Sequence, residues 1–412
     1  MFEPQDHPHD TEYPGGPPKA PYDITGYTLA YQMGIGFDRV LDGFDAPTEH
    51  VPDLLTPPPG RIVGSGDAGW LVGHETNNGF ILTNRLLKAG VPVQWLKAET
   101  TIAGRTLAPG AIFVPVSPAA RAILTRSVAE LGIDAYATGK TPGAGSIPLK
   151  PVRIGLVDRY GGNMQAGWTR WILEQFEFPF TVVYPKELDA GGLNAKYDVL
   201  LFADGTMPLV RGGGYPGGGR SDMPKPADIP TSYRDWLGEV TTGTTVPAIR
   251  AFAEGGGTVL TVGNANRLAT LLAPQLQPAL VTKKADGTLT TLAKTDFYIP
   301  GAIVQASVDP RQPLAYGMTP KVDLFFDESQ PFRLDGGAGN RVAWFDSAKP
   351  LRSGWAVGQE KLQGTIAVVD IDLGRGKLFA MGPEVTQRAQ PYATFKLLFN
   401  GLLYGPAIAA SR

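Results

Sequence analysis

The chain has 412 residues, 43% of them hydrophobic, which is enough for two domains or one large one with a full core. A formal net charge of −2 without any basic run excludes the electrostatic footprint of a nucleic-acid-binding protein, and no apolar stretch approaches the length of a membrane span. The absence of cysteine excludes a disulfide framework, a thiolate zinc site and a cysteine nucleophile.

The first 60 residues have little hydrophobic periodicity, and we interpret residues 1–60 as an extended leader or linker. A short helix could begin at Asp23 or Thr25, and the proline run at 57–59 breaks the chain before the first folded unit. So irregular a start is typical of an internal piece of a longer protein.

Residues 61–150 predict a small α/β unit, because short apolar runs alternate with helical periodicity. The predicted strands are 70–73, 91–96 and 111–116, and the predicted helices are 78–89 and 119–131.

Residues 151–412 repeat this alternation on a larger scale and predict an open, mainly parallel sheet flanked by helices. Four apolar runs suit strands that are buried on both faces, so we expect them to be neighbours in one sheet: 154–157, 199–202, 259–262 and 378–381. The spacing between the second and third strands is similar in the two units. That similarity suggests two related halves, although recurrent βαβ architecture explains it equally well.

A helix, a glycine turn, a buried strand and a tight turn follow one another from residue 248 to residue 272. In many α/β enzymes the nucleophile lies on such a strand-to-helix turn, above a helix N-terminus. Here the turn carries Asn264, Ala265 and Asn266, and none of them is a nucleophile. The sequence therefore predicts the fold more readily than a reaction.

The long connection 205–245 contains a glycine-rich run at 212–219. The run neither follows its strand directly nor opens a helix, so a loop is a better interpretation than a phosphate cradle. A long loop at the carboxyl end of a central strand is nevertheless where binding elements are found. The remaining predicted elements are a hairpin at 281–290 with its turn at Asp286-Gly287, strands at 303–308, 342–345 and 365–371, and a closing helix at 392–404.

The sequence lacks the residues that a metal site or a Ser-His-Asp triad would require. His7, His9, His50 and His74 do not have the spacing of zinc ligands, so we interpret them as solvated loop residues. No Gly-x-Ser-x-Gly elbow is present either. We expect no metal site and no cofactor in this chain.

Polar residues follow the predicted parallel strands at their carboxyl ends, where open α/β sheets bind ligands. This candidate cleft consists of Asp158, Tyr160, Asn163, Asp204, Asn264, Asn266, Glu384, Gln387 and Arg388. The carboxylates could act as acid and base if they lie close together. Helix capping is the favoured alternative for Asn163 and Asn266, and Asp204 could brace the long loop. We interpret Trp168 and Trp171 as core residues.

Several segments together resemble the region that follows the catalytic domain in large bacterial zinc carboxypeptidase-like proteins. They are Pro14-Gly15-Gly16-Pro17-Pro18, Pro21-Tyr22-Asp23-Ile24-Thr25-Gly26-Tyr27-Thr28-Leu29, Gln32-Met33-Gly34, Asn84-Arg85-Leu86-Leu87, Gly167-Trp168-Thr169-Arg170-Trp171-Ile172-Leu173-Glu174, Leu314-Ala315-Tyr316-Gly317-Met318 and Phe395-Lys396-Leu397-Leu398-Phe399-Asn400. The resemblance spans nearly the whole chain and implies a class I glutamine amidotransferase-like (flavodoxin-like) domain with a smaller α/β unit before it. It also implies a secreted or periplasmic peptidase parent.

The catalytic motifs of those families have no counterpart here. The zinc motif His-x-x-Glu with a later His finds no matching position, and the amidotransferase cysteine, expected near 264–266, is absent. The resemblance thus assigns no catalytic residue and places zinc only in a separate catalytic domain. It implies that this catalytic domain of the same parent chain is the partner, whereas nucleic acid is excluded by the charge.

Three functional hypotheses follow from the sequence. The first is a non-catalytic accessory region that binds substrate or packs on the peptidase domain. The second is a stand-alone hydrolase that uses Asp158, Asp204 or Glu384. The third is a sugar- or peptide-binding module with the 205–245 loop as its lid.

Overall fold

The leader lies along the surface of the large unit through specific hydrogen bonds. The computed structural model describes residues 2–55, 57–143, 145–207, 223–285, 287–327 and 329–409. The backbone N–H groups of Thr25 and Gly26 both donate to Gly301 O, at 2.7 and 2.8 Å. The helix predicted at Asp23 or Thr25 is therefore wrong, because that backbone is engaged elsewhere; helix α1 spans Leu29–Met33.

The small unit is a six-stranded mixed sheet with two helices and a separate hairpin. Its strand order is β1-β7-β2-β6-β3-β8, in which only the β1–β7 pair is parallel. The strands are β1 (Ile62–Val63), β2 (Gly69–Val72), β3 (Val93–Leu96), β4 (Thr100–Ile102), β5 (Arg105–Leu107), β6 (Ile112–Pro115), β7 (Ala135–Thr138) and β8 (Ser146–Leu149), and the helices are α2 (Asn78–Lys88) and α3 (Pro118–Leu131). The strands β4 and β5 pair only with each other.

The two units are not a repeat. In the small unit β2 and β3 are separated by β6 and run antiparallel to it. In the large unit the corresponding first two strands are parallel neighbours. The similar strand spacing thus reflects only the alternation of strands and helices.

The large unit is built on five parallel strands in the order β10-β9-β11-β12-β22. In chain order this is 2-1-3-4-5, the doubly wound order of flavodoxin-like folds. The predicted adjacency of the four apolar runs is confirmed. Every residue of β11, β12 and β22 is buried, as expected for parallel strands covered on both faces. These strands are β9 (Ile154–Val157), β10 (Phe180–Val183), β11 (Val199–Phe202), β12 (Thr258–Val262) and β22 (Gly376–Met381).

Beyond β22 the same sheet continues with antiparallel strands, in the order β22-β21-β19-β16-β17. The strands between β12 and β22 are β13 (Leu276–Pro278), β14 (Val281–Lys283), β15 (Leu289–Thr291), β16 (Ala302–Val308), β17 (Lys321–Phe326), β18 (Phe332–Leu334), β19 (Asn340–Trp344), β20 (Leu351–Ser353) and β21 (Ile366–Leu373). The predicted 281–290 hairpin is present as β14–β15, although Asp286 of its turn lies outside the described residues.

Helix α8 is the element that both units share. It packs against β11, β12 and β22 of the large sheet and against β8 of the small one. The helices of the large unit are α4 (Met164–Gln175), α5 (Pro185–Asp189), α6 (Thr245–Glu254), α7 (Asn266–Leu272) and α8 (Phe395–Ala409). Within the described parts of the chain, no helix is long and apolar enough to cross a membrane.

Candidate functional site

The strand-end site lies where the parallel strands of the large unit finish. Asp158 follows β9, Asp204 follows β11, Asn264 follows β12 and Glu384 follows β22. The strand order reverses between β9 and β11, and such a switch point opens a crevice at the carboxyl ends of the strands. These four residues therefore lie at the carboxyl ends of the strands, and their role in ligand binding stays a prediction.

The turn after β12 is clamped to the end of β11 by two reciprocal hydrogen bonds. Asn264 N donates to Asp204 Oδ1 at 2.9 Å, and Gly205 N donates to Asn264 Oδ1 at 2.9 Å. Gly263 makes this approach possible, since its φ is +58° and a Cβ there would lie 2.4 Å from Asp204 Cγ. Asn264 itself remains exposed at the position where related folds carry a nucleophile.

Glu384 is 3% exposed and contacts Asp204 directly. Its Oε1 accepts from Thr386 N at 3.1 Å and from Thr386 Oγ1 at 2.6 Å, whereas no donor reaches Oε2. Burial, followed by the charge of Asp204, raises the pKa of Glu384 to about 8. Burial beside Asp204 therefore favours the protonated form of Glu384.

Thr386 is a partner that the sequence analysis missed. It follows Glu384 by two residues, and its hydroxyl lies 3.4 Å from that of Thr169 on α4. The only sequence feature that could have indicated Thr386 as a partner of Glu384 is a Glu-x-Thr sequence shortly after a buried strand, and this feature is weak.

Asn266 is part of the core and does not face the cleft. It is 3% exposed, accepts from Thr261 Oγ1 at 2.6 Å and donates to Gly263 O and Met381 O at 2.8 and 2.6 Å. Asn266 thus joins β12 to β22, and its assignment as a ligand residue or a helix cap is wrong because every side-chain polar atom is used inside the fold.

Asn163 caps α4, as expected, and also borders the strand-end site. Its Oδ1 accepts from Ala166 N at 2.6 Å. Its Nδ2 is buried without an acceptor, and a Cβ at Gly205 would lie 3.4 Å from it. Asp158 accepts from Arg159 N at 2.8 Å, and burial raises the pKa of the Asp158 carboxyl. Tyr160 is half-buried in the same β9–α4 loop.

Arg388 is paired with a residue of the leader. It is exposed, and its Nη2 donates to Asp23 Oδ1 of the leader at 2.5 Å. Arg388 and Ala389 both have left-handed φ angles, 49° and 54°, and Gln387 is buried. The structure therefore brings Asp204, Asn264, Glu384 and Asn163 together, and it pairs Arg388 with the leader.

His74 does not fit the prediction that the histidines are solvated loop residues. His74 is 4% exposed, with Nδ1 2.7 Å from Gly110 O and Nε2 2.8 Å from Asn400 Oδ1. It is therefore a core residue and not a solvated loop residue. Among the described residues, no group of three or more His, Cys, Asp or Glu side chains could hold a metal ion.

The two tryptophans of α4 are less buried than expected. Trp168 is half-buried, and Trp171 keeps a relative exposure of 43%. The prediction that both belong to the core is wrong for Trp171. The glycine-rich run at 212–219 falls outside the described residues.

No protein-family model and no curated protein matches this chain. Solved structures match it at low identity: a cytoplasmic protein from Salmonella typhimurium (14% identity, 61% of this chain and 97% of that one, TM-score 0.34), PurLQS from Thermotoga maritima (15%, 61% and 98%, 0.34) and a glutamine amidotransferase from Thermotoga maritima (11%, 61% and 96%, 0.34). The α/β, flavodoxin-like fold is established by the strand order itself, and these similarities are too distant to carry an argument about function.

Proposed function

We propose that this chain is a non-catalytic accessory domain region whose strand-end site binds a ligand without transforming it. The proposal is based on the identity of the residue on the strand-to-helix turn after β12. Asn264 occupies the exposed turn after β12, and an amide neither attacks nor titrates near neutral pH.

The neighbouring carboxyl groups support the same proposal. Asp204 accepts from Asn264 N and pairs with the protonated Glu384, while Glu384 also accepts from Thr386. A carboxylate that is used for internal hydrogen bonds is positioned to brace the elbow and is poorly placed to activate water.

The ligand class follows from the groups that remain available. Asn264 is exposed, and Asn163 Nδ2 has no acceptor. Amide donors bind carbonyl and hydroxyl oxygens, so a peptide or a sugar suits this site. On the sequence resemblance alone, we further propose that the ligand is a substrate of the zinc carboxypeptidase-like catalytic domain of the same secreted or periplasmic parent.

A direct experiment compares binding and turnover in the purified chain. We expect short peptides or oligosaccharides to bind with millimolar to micromolar affinity, without ester, amide or peptide hydrolysis. Asn264→Ala should weaken binding at least about fivefold, because it removes a directional donor. Asn340→Ala, an exposed asparagine on β19, is the matched control.

A stand-alone hydrolase is the second candidate, and the coupling between the carboxyl groups of Asp204 and Glu384 favours it. Two interacting carboxyl groups with separated pKa values are a recurrent acid–base arrangement. Hydrolysis by the unmodified chain that disappears in both Asp204→Asn and Glu384→Gln would establish this candidate and contradict the accessory role.

A further inference from the structure

A cavity of about 480 Å³ lies in the small unit, at the end of its sheet where β2 finishes and β7 begins. Val72, the last residue of β2, is paired there with Ala135, the first residue of β7. Val72, Ile133 and Tyr136 are buried and line the cavity. Its volume lies within the range of small-molecule sites. The residues that line it fall between 58 and 136, so it is separate from the strand-end site of the large unit.

The proline segment that precedes β1 forms one part of the lining, through residues 58–60. Gly60 lies so close to Ile133 that a Cβ on Gly60 would be 2.0 Å from the carbonyl oxygen of Ile133. Arg61 N donates to Asp134 Oδ1 at 3.0 Å and ties the same segment to the residue before β7. These contacts fix the segment, so this part of the cavity is formed without a ligand.

A second part of the lining carries opposite charges side by side. Arg105 Nη1 donates to Tyr136 Oη at 3.2 Å, and Arg105 Nη2 lies 4.0 Å from Glu75 Oε1. The second separation is too long for a hydrogen bond. Gly73 makes the position of Glu75 possible, because a Cβ on Gly73 would lie 2.0 Å from Glu75 Oε2.

The hydrogen-bonding groups of this charged pair are only partly used. Among the residues that the structure describes, no donor is hydrogen-bonded to the carboxylate of Glu75, and the Arg105 guanidinium donates only to Tyr136. The Tyr136 hydroxyl accepts that bond and keeps its own hydrogen for donation. Arg105 and Tyr136 therefore present donors for an anionic group, and Glu75 presents acceptors for a cationic group next to them.

The charges of the lining favour a ligand that carries both signs. The formal charge of the lining sums to zero, because it contains two arginines and two acidic residues: Arg61, Arg105, Glu75 and Asp134. A phosphate or a dicarboxylate at Arg105 would be repelled by Glu75, and a neutral molecule would displace water from these charges without pairing them. A molecule with one ammonium and one carboxylate group pairs with both signs.

We propose that this cavity is a binding site for a free α-amino acid with an apolar side chain. The ammonium and carboxylate groups of an amino acid are attached to the same carbon, so they suit two opposite charges that are 4.0 Å apart. The carboxylate accepts from Arg105 and Tyr136, and the ammonium group donates to Glu75. The apolar side chain packs on Val72 and Ile133. The binding is noncovalent and does not depend on the function proposed for the strand-end site.

The test is a titration of the whole chain at pH 7, followed by ligand-detected NMR. The probes are L-leucine, N-acetyl-L-leucine, which lacks the ammonium charge, and L-leucinamide, which lacks the carboxylate. We expect leucine to bind with a Kd of about 1 mM, since both charged partners are half-exposed, and each of the other probes to bind at least about tenfold more weakly. Equal affinities for the three probes would overturn the proposal, and so would tighter binding of inorganic phosphate than of leucine.

Two conservative variants assign each charged group of the ligand to its residue. Glu75→Gln should weaken leucine binding at least about tenfold without weakening the binding of N-acetyl-leucine, which has no ammonium group. Arg105→Gln should weaken leucine binding by a similar factor without weakening that of leucinamide. Both side chains are half-exposed, so the fold should be retained, and Arg126→Gln, at an exposed position of α3, is the matched control. Weaker binding of all three probes in either variant, or the same loss in Arg126→Gln, would contradict the proposal.

Discussion

At the scale of single residues, the carboxyl pair of Asp204 and Glu384 shows what the sequence could and could not predict. Both residues follow apolar runs, so their position at strand ends was predictable. Their contact was not, because it depends on the strand order β11-β12-β22 and on a turn tight enough to bring Asn264 N to Asp204.

Glu384→Gln should change the pH dependence of stability. The folded-state pKa of Glu384 is raised to about 8 from an ordinary 4.5, so the fold binds a proton that the unfolded chain releases. The resulting stabilisation is fully present below pH 4.5 and is lost as the pH rises through 8. The variant lacks this titration, so its free energy of unfolding should change less between pH 5 and pH 9, by roughly 4 kcal/mol for an uncoupled group.

Urea denaturation at pH 5, 7 and 9 measures this difference. Glu99→Gln is the control, because Glu99 is an exposed carboxylate. Equal pH slopes for the unmodified chain and Glu384→Gln would show that Glu384 is ionised in the fold and that Asp204 does not share its proton.

Gly263→Ala should destabilise the elbow more than a matched glycine substitution elsewhere. Gly263 has a left-handed φ, and its added methyl would overlap Asp204. Gly161 also has a left-handed φ, +85°, but nothing lies within 4 Å of the added carbon. We expect about 1 kcal/mol of destabilisation for Gly161→Ala and at least about 3 kcal/mol for Gly263→Ala, measured by urea denaturation. Equal losses would mean that Asp204 moves aside freely.

At the scale of elements, long apolar runs were predicted well and short polar strands were not. The predicted strand 259–262 agrees with β12 to within one residue, because a short apolar run of this kind favours a strand that is buried on both faces. The three-residue strands β4 and β5 are mostly exposed and carry no comparable period, and β7 pairs with distant residues. Their existence depends on tertiary pairing that local sequence does not encode.

Asn400 of α8 is hydrogen-bonded to residues of both units, and Asn400→Ala should weaken the junction between them. Asn400 Nδ2 donates to Leu314 O and Tyr316 O at 3.2 and 3.0 Å, and its Oδ1 faces His74. Alanine would leave these buried groups unpaired at a cost of about 3 kcal/mol. Chemical denaturation should show this loss, and Asn340→Ala should be nearly neutral; similar values would mean that water replaces the amide.

The effect of pH on the same junction provides a check on its electrostatics. Burial lowers the pKa of His74 to about 4, so the unfolded chain binds the proton more readily than the fold does. The stabilisation by neutral His74 is therefore present above its unfolded pKa of 6.5 and is lost as the pH falls towards 4. Acid unfolding of His74→Gln should begin at lower pH than that of the unmodified chain, and an identical midpoint would contradict the assignment of a neutral His74.

At the scale of the whole molecule, the predicted boundaries between the leader, the small unit and the large unit follow changes in sequence composition. The packing of the chain crosses these boundaries. The small unit shares α8 with the large one, and the leader returns to the antiparallel strands near residues 301 and 353–355. Proline and glycine content predicts an extended leader, but an extended segment can still pack on a folded unit. Several of the hydrogen bonds that hold the leader go to backbone carbonyls, and composition does not reveal such contacts.

Removing the leader contact should therefore destabilise the antiparallel part of the large sheet. Thr25 is buried; its hydroxyl donates to Pro300 O and Gly301 O at 3.1 Å and accepts from Trp355 N at 3.0 Å. Thr25→Val keeps the shape of the side chain but leaves Trp355 N without an acceptor, at a cost of about 1–3 kcal/mol. Amide hydrogen exchange should accelerate at residues 298–302 and 353–357 and not in β11 or β12, while Thr101→Val on the exposed β4 should change nothing there. A chain lacking residues 2–28 should show the same pattern more strongly. If exchange in these segments is unaffected by the deletion, the leader is the free linker that its composition suggests.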